Sequence, residues 1–165
     1  MTRPSDTPRW LNEEERLAWM RFASMLIWLP AALDDQLERD SGFSHYEYGI
    51  LAALSEADAA TLRMSKLVIY ANGSLSRLSR AVARLEGRGW VTRRPDPDDG
   101  RYTLAELTDT GRTVLVDAAP GHVEMVKQLV FDALTTAQAR QLGNIAGRIL
   151  DAVNSKTELM SEQRP

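Results

Sequence analysis

The stretch Ser74-Leu-Ser-Arg-Leu-Ser-Arg-Ala-Val-Ala-Arg-Leu-Glu-Gly-Arg-Gly-Trp-Val-Thr-Arg-Arg-Pro-Asp-Pro-Asp-Asp-Gly-Arg101 changes its period half-way along. Up to Gly87 the pattern is helical. With Leu75 at zero on a wheel of ~100° per residue, Leu78, Val82 and Leu85 fall within about 80° of it and predict a buried face. Arg77, Arg80, Arg84 and Arg88 form a second stripe between about 140° and 220°, with Ser76 at its edge. Beyond Gly89, residues 90–94 and 101–107 read as short strands, and 95–100 between them is dense in turn residues, so the pair predicts a hairpin.

The segments before this stretch complete a helix-turn-helix. Ser44-His-Tyr-Glu47 fits a capping box and opens a helix to about Glu56, with Ile50, Leu51 and Leu54 inward. Met64, Leu67, Val68 and Ile69 predict another short helix, stopped at Ala71-Asn72-Gly73. Two short helices joined by a glycine-containing turn and followed by a hairpin make a winged helix-turn-helix, about residues 44–107. Flanking helices are expected at about 12–40 and 109–153. Asn12 caps the first, Glu13, Glu14 and Glu15 suit its positive end, and Leu26, Leu29, Leu33 and Leu37 make its stripe, with a bend expected at Pro30. After Thr108-Asp109 a helix returns, with a break or kink expected at Pro120-Gly121. Thr135-Thr-Ala-Gln138 then caps a last helix, whose Leu142, Ile145, Ala146, Ile149, Leu150 and Val153 follow helical spacing. The tail from Asn154 is polar and expected to fray. The reading is one mainly α domain over 1–165 with a small β-hairpin wing. Its flanking helices carry more apolar stripe than so small a domain covers alone, which predicts a homodimer.

The chain has 165 residues and a net charge of −3, but its charge is divided. Residues 63–101 hold nine basic side chains, eight of them arginine, against four acidic ones, so this segment carries +5 while the rest carries −8. A basic segment in an acidic chain suits a polyanion, and arginine favours forked bonding to phosphates and base edges. There is no cysteine, which excludes a thiolate metal site, a catalytic cysteine and a thiol sensor. The longest uncharged run, 22–33, spans 12 residues; a membrane span needs roughly 18, so none is expected. The N-terminus lacks the apolar stretch of a signal peptide, and a soluble cytoplasmic protein is expected.

Within the hairpin, Arg93, Arg94 and Arg101 lie at the ends and Asp99 near the tip. An arginine is attracted to a narrow DNA groove, and Asp99 is expected to shape the wing by bonding its backbone or by aligning Arg101. Asp96, Asp98 and Asp99 do not make a calcium loop: Pro97 interrupts them, a fifth-position ligand is missing and no glutamate follows at the twelfth.

Leu78-Ser79-Arg80, Arg84-Leu85-Glu86, Gly89-Trp90-Val91, Arg94-Pro-Asp-Pro-Asp-Asp-Gly-Arg101 and Leu107-Thr-Asp-Thr-Gly111 together resemble the MarR family of bacterial transcription regulators. The resemblance covers nearly the whole chain. It implies a homodimeric, ligand-responsive repressor on a palindromic operator, with recognition helices in adjacent major grooves and a wing arginine in a minor groove. Ser79 and Arg80 match the family's hydroxyl and arginine pair, and Arg101 its wing-tip arginine. The expected DNA-binding set is Ser76, Arg77, Ser79, Arg80, Arg84, Arg94, Asp99 and Arg101. Glu106 departs from the basic or neutral residue that members often carry. The resemblance also implies a pocket for a small aromatic effector, for which Trp19, Trp28, His45 and Tyr46 are candidates.

No enzyme is expected. His45 and His122 are the two histidines, each isolated in sequence, and no zinc-protease, nucleophile-elbow or phosphate-loop motif occurs. No cofactor or metal is implied. RNA recognition usually stacks bases on exposed aromatics, and the basic segment holds few, among them Tyr70 and Trp90. The competing reading is a helical dimeric protein-interaction module that does not bind DNA, which leaves the gathered positive charge unexplained.

Overall fold

The computed structural model describes the backbone of residues 8–70 and 74–162, and side chains for 8–69 and 74–154. The predicted stop at Ala71-Asn72-Gly73 lies outside the described residues. The chain forms two compact units, Met1–His122 and Val123–Pro165.

The first unit begins with helix α1 (Glu13–Ser41), capped by Asn12 in a full capping box with Glu15 and closed at Gly42 in the left-handed region at φ 72°. It runs through Pro30. Proline removes one backbone hydrogen bond, and the burial of Leu33, Gln36 and Leu37 just beyond it favours continuation of the helix. The predicted stripe is buried only at its C-terminal end: Leu37 is fully buried, whereas Leu26 is 53% exposed. Helix α2 (His45–Glu56) starts with the Ser44/Glu47 capping box. A short 3₁₀ turn leads to strand β1 (Thr61–Arg63), followed by α3 (Met64–Tyr70) and α4 (Leu75–Gly87), the latter capped by Ser74. Strands β2 (Val91–Pro95) and β3 (Thr103–Leu107) form the wing, and α5 (Asp109–Val126) follows.

The hairpin is part of a three-stranded antiparallel sheet in the order β1-β3-β2, with Leu62 opposite Ala105 and Arg93 opposite Ala105 on the other side. The predicted second strand starts two residues late, because Arg101 and Tyr102 belong to the turn: the Tyr102 amide donates to the Asp99 carbonyl. The core is built from Leu37, Phe43, Ile50, Leu51, Leu54, Leu67, Leu78, Val82, Leu85, Val91 and Leu107. Two expected core residues are outside it: Ile69 is 77% exposed and Leu75 59%. Ala81, 1% exposed, joins the buried face of α4 instead. Trp90 packs edge-on against Phe43 at 5.4 Å.

The Leu107-Thr-Asp-Thr-Gly111 corner ties α5 to the wing. The Thr108 amide donates to the Trp90 carbonyl at 3.0 Å, its hydroxyl donates to the Gly89 carbonyl at 2.7 Å, and that hydroxyl accepts the Gly111 amide at 3.0 Å. Gly111 is buried, and a Cβ there would collide with the Trp90 carbonyl and the Leu107 side chain. Gly111→Ala is therefore expected to destabilise the fold by about 1–3 kcal/mol, the range for overpacking against groups that do not yield. An unchanged unfolding midpoint in urea would show that this corner does not constrain the fold.

Helix α5 continues without a break through Pro120-Gly121, with Leu115, Ala118 and His122 buried along it. The irregularity comes later, in a π-helical turn at Lys127–Phe131, where the Asp132 amide reaches the Lys127 carbonyl. In the second unit, helix α6 (Thr136–Glu162) opens with a reciprocal Thr135/Gln138 cap. Its backbone is helical to Glu162, past Asn154 where fraying was expected. Along it Ile145, Ile149 and Leu150 are exposed at 54%, 38% and 59%.

Candidate nucleic-acid interface

Helix α4 buries Leu78, Ala81, Val82 and Leu85, so the opposite ridge faces outward. That ridge carries Ser76, Ser79, Arg80 and Ala83, of which Ser79 is half-buried and the others exposed. The four arginines predicted as one stripe are placed differently. Arg77 lies over the Tyr46 ring, 4.2 Å from its centroid. Arg84 donates from Nε to Glu47 Oε1 at 2.8 Å. Arg88 donates to the Gly42 carbonyl and stacks on Trp90. Among the described residues Arg80 makes one long hydrogen bond, 3.4 Å to the Ser76 carbonyl of its own helix. Among the described residues, Arg80 is thus the one of these four with neither an aromatic ring nor an acceptor from another element against it.

Glu47 is 4% exposed and does two jobs that local sequence reading divides. Its Oε2 accepts the Ser44 amide and hydroxyl, closing the cap of α2, while Oε1 holds Arg84. Burial pushes its carboxyl up, but the Ser44 amide and Arg84 outweigh that and leave it below the usual value of 4.5. The result is a cleft of about 340 Å³ lined by Asp34, Ser44, Tyr46, Arg77, Arg80 and Arg84. Ser76 sits at the capped start of α4, its hydroxyl 3.0 Å from that of Ser74.

The wing is organised by two aspartates. Asp96, 5% exposed, accepts Arg63 Nε at 2.6 Å and the Asp98 amide at 3.0 Å. Those bonds, the Asp98 amide first, hold its carboxyl below the usual range. Arg63 also stacks on Tyr102. Asp99 accepts Arg101 Nε at 2.9 Å, Arg101 Nη2 at 2.6 Å and the Arg101 amide at 3.2 Å. Both expected roles of Asp99, backbone bonding and arginine alignment, are present. The Arg101 side chain remains 84% exposed. Arg94 is paired with Glu106 at 3.1 Å across the wing, and Arg93 with Glu86.

The sequence similarities bear on this geometry. The MarR family model matches residues 43–103. The solved structure of Sco3205, a MarR family transcriptional regulator from Streptomyces coelicolor in complex with DNA, is 47% identical, covers 90% of this chain and 92% of its own, and superposes with a TM-score of 0.84. This chain belongs to the MarR family. AbsC, a MarR family regulator from the same organism, is 30% identical over 90% of this chain and 99% of its own, with a TM-score of 0.83. The transcriptional repressor MprA of Escherichia coli strain K12 is 25% identical over 73% of this chain and 68% of its own. The protein is a MarR-family transcriptional regulator with the winged helix-turn-helix fold.

For this MarR-family protein the four effector candidates are not gathered at one point. Trp19 and Trp28 are 56% and 73% exposed on α1, and nine residues of helix put them on opposite sides. Tyr46 lies beneath Arg77, and His45 packs on His122 at 5.4 Å between ring centroids. Sequence reading missed His122, which also meets Tyr48 at 4.3 Å and has a buried Nδ1 with no hydrogen-bond partner among the described residues. Nothing in sequence relates positions so far apart. Both imidazoles titrate below the ordinary 6.5. Burial disfavours both imidazolium ions, Asp34 opposes it at His45, and His45 adds repulsion at His122. Histidines depressed in this way bind fewer protons folded than unfolded, so their contribution is present above the unfolded pKa and lost as pH falls below it. The unfolding midpoint is expected to fall on acidification from about pH 7.5 to about 5.5, and less steeply in His122→Asn. A midpoint that holds or rises over that window contradicts this. Among the described residues no group of three or more His, Asp or Glu is placed to hold a metal ion, and no helix is long and apolar enough to cross a membrane.

Proposed function

We propose that the protein is a cytoplasmic, sequence-specific repressor that binds double-stranded DNA as a homodimer on an inverted repeat and responds to a small aromatic effector. The observation that carries the reading is Arg80: while Arg77, Arg84 and Arg88 lie against Tyr46, Glu47 and Trp90, it stands exposed beside Ser76 and Ser79. A recognition helix in a major groove presents such an arginine to guanine, where it forms a two-pronged bond. Arg77 and Arg84 then serve phosphates on the flank, and Arg101, with Arg94 behind it, serves the wing. The exposed Ile145, Ile149 and Leu150 of α6 support a dimer, in which residues 1–165 work as one functional domain. Repression is supported by the similarity to MprA, and effector response by the buried His122 Nδ1, which has no partner among the described residues and lies beside His45 and Tyr48. The gathered charge favours this over a DNA-independent interaction module, and the relatives compared are regulators rather than enzymes.

Selection from a random duplex pool should return an inverted repeat with half-site centres about one turn, ~34 Å, apart. Recovery of unrelated duplexes would refute sequence-specific binding. At the wing, Arg101→Ala is expected to weaken operator binding by about 1 kcal/mol per wing, the net worth of one hydrogen-bonded contact. Its stability should change by no more than about 0.5 kcal/mol, as for exposed sites generally. Asp99→Ala should also weaken binding, although it removes a negative charge, because it releases the arginine it aligns. Tighter binding by Asp99→Ala, with Arg101→Ala unchanged, would reduce the wing to a solvated hairpin.

A further inference from the structure

Leu75 opens α4 with 59% of its surface exposed, while Leu78, Val82 and Leu85 of the same helix are fully buried. Single exposed leucines are ordinary on protein surfaces. The position of this one is not, because the N-terminal residues of a recognition helix are those that meet base edges. On the wheel Leu75 lies on the Ser79 side of the outward ridge, away from the flank where Arg77 and Arg84 are held. With Ser79 and Met64 it lines a cleft of about 300 Å³ that Arg93, Arg101, Tyr102 and Thr103 also line. The rim is cationic and hydroxylated, which suits an anionic partner rather than an apolar peptide. Its polar members suit phosphates and hydrogen-bonding base edges. A leucine offers none of that chemistry. The apolar group that a B-DNA major groove presents is the C5-methyl of thymine.

We propose that Leu75 is a specificity-determining residue whose isopropyl group packs on a thymine C5-methyl, so that each half-site contains a required thymine beside the base read by Arg80. This rests on the proposed entry of α4 into a major groove. It assigns a base preference that the arginine and serines of the ridge do not supply.

The test replaces each thymine of the selected operator, one at a time, by deoxyuridine, which removes the methyl group and leaves base pairing intact. Wild-type protein should lose about fourfold in affinity per half-site at one symmetric position, the worth of burying one methyl-sized group. Leu75→Ala should bind the thymine operator more weakly by a similar factor and no longer distinguish thymine from uracil at that position, with thermal stability unchanged. Three results overturn the assignment: an operator without thymine in its half-sites, wild-type indifference to uracil at every position, or full thymine preference retained by Leu75→Ala. Indifference to uracil in the wild-type scan refutes the assignment without any variant, whereas a methyl preference is traced to Leu75 by its loss in Leu75→Ala. Specific binding that ignores the methyl group refutes Leu75 alone, whereas absence of preference for any duplex refutes the DNA reading beneath it.

Discussion

Arg80→Ala is expected to cost about 1–3 kcal/mol of operator affinity per half-site and to relax preference at one base position, the measured scale for a two-pronged arginine–guanine contact. In a dimer the cost is incurred twice. The large effect follows from the division of labour among the arginines of α4. Arg77 and Arg84 are steered by Tyr46 and Glu47, while Arg80 is held by one weak bond of its own helix and has little to lose by turning to a base. Affinity for random duplex should change far less, because non-specific binding depends on total phosphate neutralisation. An equal loss on operator and random DNA would make Arg80 a phosphate contact.

Ile149→Glu is expected to dissociate the dimer and abolish tight operator binding. Ile149 stands between Ile145 and Leu150 in the apolar stripe of α6, and burying a carboxylate there without a partner costs several kcal/mol. Each half-site alone then has to hold a monomer, and the two halves no longer reinforce one another. Light scattering at micromolar concentration, with circular dichroism to check helix content, reads the result. A folded wild-type monomer, or an Ile149→Glu protein that remains dimeric, would show that this stripe is not the assembly surface.

Features determined by neighbouring residues were legible in the sequence. The caps at Asn12, Ser44 and Thr135 are contacts across three residues, and each forms as read. Asp99 bonds Arg101 two positions away, another local relation. Strand β1 was not legible, because three residues show no alternation and its pairing partner β3 lies about forty positions on. The link between Glu47 and Arg84 spans 37 positions and hides behind a capping role that accounts for the glutamate alone. Leu75 was misassigned for a related reason: a helical wheel gives a direction, and the body of the domain extends under Leu78 and Val82 but not under the first turn. The break at Pro120 does not form, because burial of Ala118 and His122 on either side of it keeps the helix continuous despite a lost hydrogen bond.

The central claim is that this MarR-family protein reads sequence through α4 and the wing. Titration of the wild-type protein with the selected operator and with a scrambled duplex of equal length, at two salt concentrations, tests it most directly. The account predicts at least about 10³-fold tighter binding to the operator, a preference that persists as both affinities fall with salt. Equal affinity for the two duplexes at both salt concentrations would contradict it.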